Sequence, residues 1–413
     1  MDSAAESVEP DAAGTKGSTR ESDVDERPGS ILFAATASAT LGSLPIFLLG
    51  ALAFLIRAEL GFGELALGAA ASLYYISSAL SNLPGGRLAE RLGGRQAMAV
   101  AAACTVACGV GIAWLTHSWA LLTGFLVIGG FANGVALPAS NLAIARGISS
   151  RRQGVAFGVK QSSGAYATLI AGLCVPAIGL TVGWRWAYVA LAAGAVPLLL
   201  RGAVRRSVSL RRRGSRADVA VTPLRFLSLA AWFAVISTSS LGAFYVESAV
   251  SGGTSPGLAG VLFAAGSVAA VAARIGWGQT VGRRTSAHFR LMAVFLSAGA
   301  VGFALLAVAD SVAPLVVATL LVFAGGWGWP GLLSLAVVTR NPDAPGIASG
   351  IVGVGQFGGG IVGPLGFGFL VENVSYRAAW AAAAAAGLVA ASLMLIGGRA
   401  YERATGGDRL LPT

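Results

Sequence analysis

Apolar residues in this chain run on in long blocks, with none of the alternation of a strand or of an amphipathic helix. About 20 consecutive apolar residues cross a hydrocarbon layer as a helix. Twelve blocks reach that scale, roughly 31–56, 65–86, 96–116, 119–143, 155–180, 185–203, 224–249, 256–278, 288–308, 312–338, 346–370 and 377–397. The fourth and tenth are the least uniform. The pattern predicts an all-α membrane protein with twelve transmembrane helices.

The polar stretches between the blocks set the organisation. Residues 1–29 carry eight acidic and three basic side chains and no aromatic, which predicts a disordered tail. Their acidic start is unlike a signal peptide. The longest interruption, Arg201 to Arg225, holds eight arginines and divides the blocks six and six. The expected division is a tail (1–29), a first six-helix bundle (30–203), a basic linker (204–223), a second bundle (224–398) and a tail (399–413).

Composition agrees: 55% of the 413 residues are hydrophobic and 11% charged, against about 25% charged in a soluble domain. The net charge of +11 invites a nucleic-acid reading, but the basic residues are sorted by side. With twelve spans, 21 arginines fall on the side of the N-terminus and three (Arg57, Arg185, Arg377) on the other. Three more basic residues lie in the N-terminal tail, and Lys160 and Arg274 fall inside spans. This bias predicts that both termini are cytoplasmic, in the plasma (inner) membrane, and removes the reason to expect nucleic acid. Cys104, Cys108 and Cys174 all lie within apolar blocks, where they act as small hydrophobes. No metal, disulfide framework or cofactor is implied. The excess of Arg over Lys, with abundant Ala and Gly, suggests a GC-rich bacterial source.

The halves repeat. At an offset of 192, Gly134, Pro138, Gly154, Ala156, Gly158 and Arg185 align with Gly326, Pro330, Gly346, Ala348, Gly350 and Arg377. Parallel six-helix repeats are a transporter architecture. Between spans 2 and 3, "GRLAERLGGR" (86–95) places Gly86, Glu90, Arg91, Gly93 and Arg95 in a pattern that resembles the cytoplasmic loop signature of the major facilitator superfamily, G-x-x-x-D-R-x-G-R-R. "RIGWGQTVGRR" (274–284) is its fainter counterpart after span 8. The resemblance extends from about residue 30 to 400.

The resemblance implies two pseudo-symmetric six-helix bundles rocking about a central site, with helices 1, 4, 7 and 10 lining the cavity and 2, 5, 8 and 11 flanking it. Glu90 is then expected opposite the N-terminal end of helix 11, where the helix dipole favours an anion by about 0.3 to 1 kcal/mol, with Arg91 and Arg95 anchoring the loop through acidic or carbonyl partners. Glu replaces the usual Asp, and Gly94 stands where a basic residue is common, so a weaker latch is expected. Arginines that only enforce topology are the alternative.

Ionisable groups at membrane depth cost about 2.5 to 3.5 kcal/mol on insertion scales and point to function. Lys160 and Gln161 are candidates to bind a carboxylate or other anion; snorkelling of Lys160 to the headgroups is the alternative. Arg274 in span 8 is a second candidate cation, with helix-end carbonyls as its other possible partners. Span 4 offers Asn133, Pro138 and Asn141, and span 10 offers Trp327, Trp329 and Pro330. The prolines can bend both helices at matching depths, and the tryptophans can stack on a flat substrate. Gln356 in span 11 and Tyr74 and Tyr75 in span 2 are weaker candidates.

Span 4 has Gly130 where drug–proton exporters of the superfamily often carry arginine, and span 5 has Ala171 and Gly172 where they carry a Gly-Pro element. These absences favour uptake of a small organic anion by proton symport or uniport over drug or metabolite efflux by proton antiport. A monomer with a small solute, a proton and the lipid bilayer as partners is expected. An intramembrane enzyme is disfavoured, because "GTSPG" (253–257) lies between helices and "GVGQFG" (353–358) follows no strand. A non-transporting receptor remains as the other reading.

Overall fold

The computed structural model describes residues 28–203, 221–280, 285–341 and 344–404. Residues 1–27 of the expected disordered tail, most of the basic linker and the Gly-Arg-Arg end of the second loop signature lie outside the described residues.

Twelve helical rods make up the described chain. The first half holds α1 (Pro28–Ala51) continued by α2 (Ala53–Leu60), α3 (Glu64–Leu92), α4 (Gly94–Val110), α5 (Trp119–Gly147), the broken pair α6 (Ser150–Gln161) and α7 (Ser163–Cys174), and α8 (Arg185–Ala203). The second half holds α9 (Val221–Ser251), α10 (Pro256–Thr280), α11 (Thr285–Val308), the broken pair α12 (Val312–Leu321) and α13 (Pro330–Arg340), α14 (Pro345–Asn373) and α15 (Tyr376–Ala404). Single π-helical turns, Gly111–Leu115, Val175–Gly179 and Val322–Gly326, follow α4, α7 and α12. Helix α9 starts before the expected end of the linker, and α15 takes in the first six residues of the expected tail.

By length and composition, ten helices among the described residues are apolar enough to cross a membrane. The two expected spans outside that set are α3 and α8. Helix α3 carries Glu64, Arg87, Glu90 and Arg91, and α8 is short with Arg185 and Arg201 near its ends. Serines, tyrosines and Asn82 within residues 65–83 of α3, which carry no charge, and the end arginines of α8 lower their mean hydropathy without shortening the rods.

Small residues set the packing. Within the first half, Gly130 and Gly134 of α5 lie against the α3 backbone at Tyr74 and Ser78, and Gly109 of α4 against α8 at Tyr188. Close backbone approach of this kind is how helices associate where lipid is as apolar as the side chains. The same device joins the halves. The face carrying Pro28 and Ala404 is termed the terminal face and the opposite one the distal face. Distal of the midplane, Gly50 packs on Gly242, Gly68 on Pro364, Gly172 on Gly260 and Gly368 on Glu64. Toward the terminal face, a side chain added at Gly154, Gly158, Gly346, Gly350 or Gly353 would meet open space. Leu80 and Leu83 of α3, Val155 of α6 and Val354 of α14 are exposed there. The two halves therefore close against each other distally and stand apart at the terminal face.

The repeat is not followed in the backbone. Pro138 sits inside the uninterrupted α5, whereas Pro330 opens the new helix α13. Gly325, Gly326 and Gly328 weaken helix in the tenth rod, and the chain breaks at Trp327–Trp329 where the fourth rod continues. The fifth rod breaks at Ser162 while its counterpart α14 runs through. The two aligned prolines thus sit in different settings, one inside a continuous helix and one at the start of a new helix, and the breaks lie in the fifth and tenth rods.

Candidate functional site

Both breaks lie at the level where the halves part, and one side chain joins them. Arg274 of α10 donates from Nε and Nη2 to the Trp327 carbonyl at 2.9 and 2.7 Å, and from Nη1 to the Gln161 carbonyl at 2.9 Å. A helix end leaves carbonyls without intrahelical partners, and the planar guanidinium fork satisfies one at each break. Of the two expected roles of Arg274, these contacts are those of a carbonyl clamp. Gln161 adds a direct bond across the halves, Nε2 to Ser334 Oγ at 3.1 Å. The Trp327 indole donates to the Thr238 carbonyl at 3.3 Å and packs against Phe47 and Phe323. Nine residues separate Gln161 from Arg152, where the apolar span begins, which puts this layer about 14 Å into the span.

Lys160 precedes that layer by one residue. Its side chain is 1% exposed, and Nζ donates to Asn141 Oδ1 of α5 at 3.0 Å. The ammonium is held inside the protein, not drawn out to a surface, and among the described residues it makes no ion pair. Asn133 lies deeper, donating to Ser78 Oγ at 2.8 Å and accepting from Ser43 at 3.3 Å, so α1, α3 and α5 meet at one polar node. Gln356 is half-buried on α14. Trp329 is buried in the hydrophobic core of the second half with Leu224, Phe295 and Leu333, and its indole nitrogen has no hydrogen-bond partner among the described residues. Tyr74 donates to the Gly42 carbonyl at 2.6 Å within the first half.

The loop signature shows how it is held. Gly93 has φ +93°, which favours glycine, and its N–H closes α3 on the Ala89 carbonyl at 2.9 Å. Arg95 donates to the Arg201 carbonyl at 2.7 Å, tying the loop to the end of α8. Glu90 and Arg91 are exposed.

The distal closure is sealed by charges whose pairing the sequence did not reveal. Arg57 of α2 reaches Glu247 of α9 at 2.7 Å across the halves, Glu64 of α3 at 2.9 Å and the Phe62 carbonyl at 3.0 Å. Glu372 of α14 accepts from the Leu65 N–H at 2.9 Å, again across the halves. The available signal was scarcity, since the distal side has only three basic residues. Nearby, Glu59 accepts from Trp184 Nε1 at 2.7 Å and pairs with Arg185, whose Nη2 donates to the Thr116 carbonyl at 2.8 Å. Burial works against ionisation of Glu59, but the bonds from Arg185 and Trp184 and the charge of Arg185 outweigh it and lower the pKa.

Residues 29–357 match the family model of the Major Facilitator Superfamily. No curated protein matches the chain. Among solved structures, it is similar to the xylose transporter XylE from E. coli in an inward-open conformation (14% identity, 89% of this chain and 95% of that one, TM-score 0.73). It is also similar to a D-xylose–proton symporter (16%, 89% and 97%, 0.68). A third is a bacterial homologue of the human lysosomal transporter Spinster in an inward-facing, unoccupied conformation (14%, 94% and 99%, 0.66).

Proposed function

Because this chain belongs to the Major Facilitator Superfamily, whose members are transporters and not enzymes, we propose that it takes up a small organic anion by alternating access, as a proton symporter or a uniporter. The single observation that carries the anion reading is Lys160, a buried ammonium with one neutral amide partner beside the layer where the halves part. A desolvated cation without a counter-ion is costly, and a substrate carboxylate would supply the missing charge. Gln161, Asn141, Asn133, Trp327 and Gln356 complete the proposed binding surface, with Arg274 contributing by holding the two breaks in place; Trp329, expected to stack on a substrate, is instead packed into the core of the second half.

The sidedness of the arginines supports a cytoplasmic terminal face, so the conformation corresponds to a transporter open inward and closed outward. Names of the similar structures, which include a proton symporter and inward-facing states, agree with this reading. The loop from Gly86 to Arg95 would latch the terminal side when that face closes, with Glu90 meeting the start of α14.

A thermal-shift screen of the purified protein against organic anions, aromatic acids, neutral sugars and cationic drugs tests the proposal, since a ligand stabilises the state it binds. An organic anion should stabilise the protein and undergo counterflow in proteoliposomes. Stabilisation by cationic drugs alone would overturn the anion reading in favour of efflux.

A further inference from the structure

Two side-chain amides beside the break of the fifth rod have a fixed sense, because each is bonded to a group that permits only one. An ammonium only donates, so the 3.0 Å bond from Lys160 Nζ commits the Asn141 oxygen and turns Nδ2 away from the lysine. A serine hydroxyl has a single proton, and Ser334 gives it to the Pro330 carbonyl at 3.0 Å. Toward Gln161 the same hydroxyl can only accept, which puts Gln161 Nε2 on Ser334 at 3.1 Å and turns Oε1 away. Among the described residues, neither Asn141 Nδ2 nor Gln161 Oε1 makes a hydrogen bond. Asn141 is exposed and Gln161 half-buried, whereas Lys160 itself is buried.

The chain brings the two amides together. Lys160 and Gln161 are consecutive, with Cα atoms about 3.8 Å apart, so the amide that Lys160 holds and the amide of Gln161 both lie at the level where the halves part. One open donor and one open acceptor therefore stand beside a buried positive charge. The charge at this level has one sign: Lys160 and Arg274 are cations, and every carboxylate among the described residues lies near the terminal or the distal face.

We propose that the substrate is a hydroxy acid, a carboxylate that also carries an alcohol. Lys160 supplies the positive charge behind Asn141, Asn141 Nδ2 donates to the carboxylate, and Gln161 Oε1 accepts from the alcohol. This rests on the anion reading and deepens it by naming a second group on the substrate. A carboxylate without the alcohol gives Oε1 no donor, and an amino acid brings a further positive charge beside Lys160 and Arg274. Gln161 is only half-buried, so water replaces a missing alcohol in part. The discrimination is then about tenfold, well below the roughly 10⁴-fold of a sealed site built to bond a substrate hydroxyl.

The test uses the full-length protein in proteoliposomes and pairs of acids that differ only by the alcohol: lactate and propionate, 3-hydroxybutyrate and butyrate, malate and succinate, mandelate and phenylacetate. The pairs vary the spacing between carboxylate and alcohol and the size of the rest. In at least one pair the hydroxylated acid should half-saturate counterflow at about tenfold lower concentration or less, and the amino acid that matches it should compete more weakly than the hydroxy acid. In Gln161→Met the two members of that pair should bind alike. Should Gln161→Met fail to fold, the wild-type comparison decides alone. Equal binding within every pair, or an advantage of the hydroxy acid that survives in Gln161→Met, would overturn the proposal and leave the anion reading standing. Exchange of no acid in any pair would count against the anion reading itself, and the proposal would fall with it.

Discussion

Gly172 of α7 and Gly260 of α10 face each other reciprocally across the two halves: a Cβ on either would lie 2.7 Å from the carbonyl oxygen of the other. The obstructing atoms are backbone, so a side chain here forces the helices apart. Overpacking costs about 1 to 3 kcal/mol, which falls on the distally closed state alone. Gly172→Leu should therefore lengthen the distance between spin labels on Val182 and Val374 at neutral pH. Gly124→Ala, where a Cβ meets nothing within 4 Å, should leave it unchanged.

Arg274 links the breaks of the fifth and tenth rods through two carbonyls. Bonds from charged donors contribute about 1.5 to 3 kcal/mol each, and lysine cannot reproduce the fork. Arg274→Lys should lower transport about 10- to 100-fold and reduce thermal stability in detergent, even though the charge is kept. Uptake by Arg274→Lys equal to the wild type would show that the clamp does not shape the cycle.

The apolar blocks revealed nearly every rod, because a membrane span is written as length and hydropathy in one continuous segment. Breaks were less legible. The alignment of Pro138 with Pro330 suggested matching bends, but glycines precede both prolines (Gly129, Gly130 and Gly134; Gly325, Gly326 and Gly328) and only the tenth rod breaks, so the local pattern does not tell the two apart. Lys160 and Arg274 stood out as lone charges in apolar runs, yet their partners could not be read, because Asn141 lies 19 residues away and the Trp327 carbonyl 53. The pairing of Arg57 with Glu247 spans 190 residues and depends on how the halves rest against each other, which no local pattern encodes.

Lys160→Gln removes the charge while leaving a donor that can reach Asn141. With substrate binding as the role of Lys160, the KM for an organic anion should rise about tenfold or more, while the melting temperature holds or rises as a buried charge is lost. Loss of stability with an unchanged KM would assign Lys160 to structure only.

Glu59 gives the distal end of the first half a pH dependence of defined sign. Its pKa is lowered on folding by the bonds from Arg185 and Trp184, which outweigh its burial. The unfolded chain therefore binds this proton more tightly, and stability falls as pH falls. The contribution is complete above the unfolded value of about 4.3 and is lost as pH drops below it through the folded value. Melting temperatures measured from pH 7 to pH 3 should decline at the acid end in the wild type. In Glu59→Gln the neutral-pH melting temperature should be lower and the acid decline shallower, because the amide still accepts from Trp184 but no longer titrates. An acid limb identical in both proteins would show that the Glu59–Arg185 pair does not stabilise the fold.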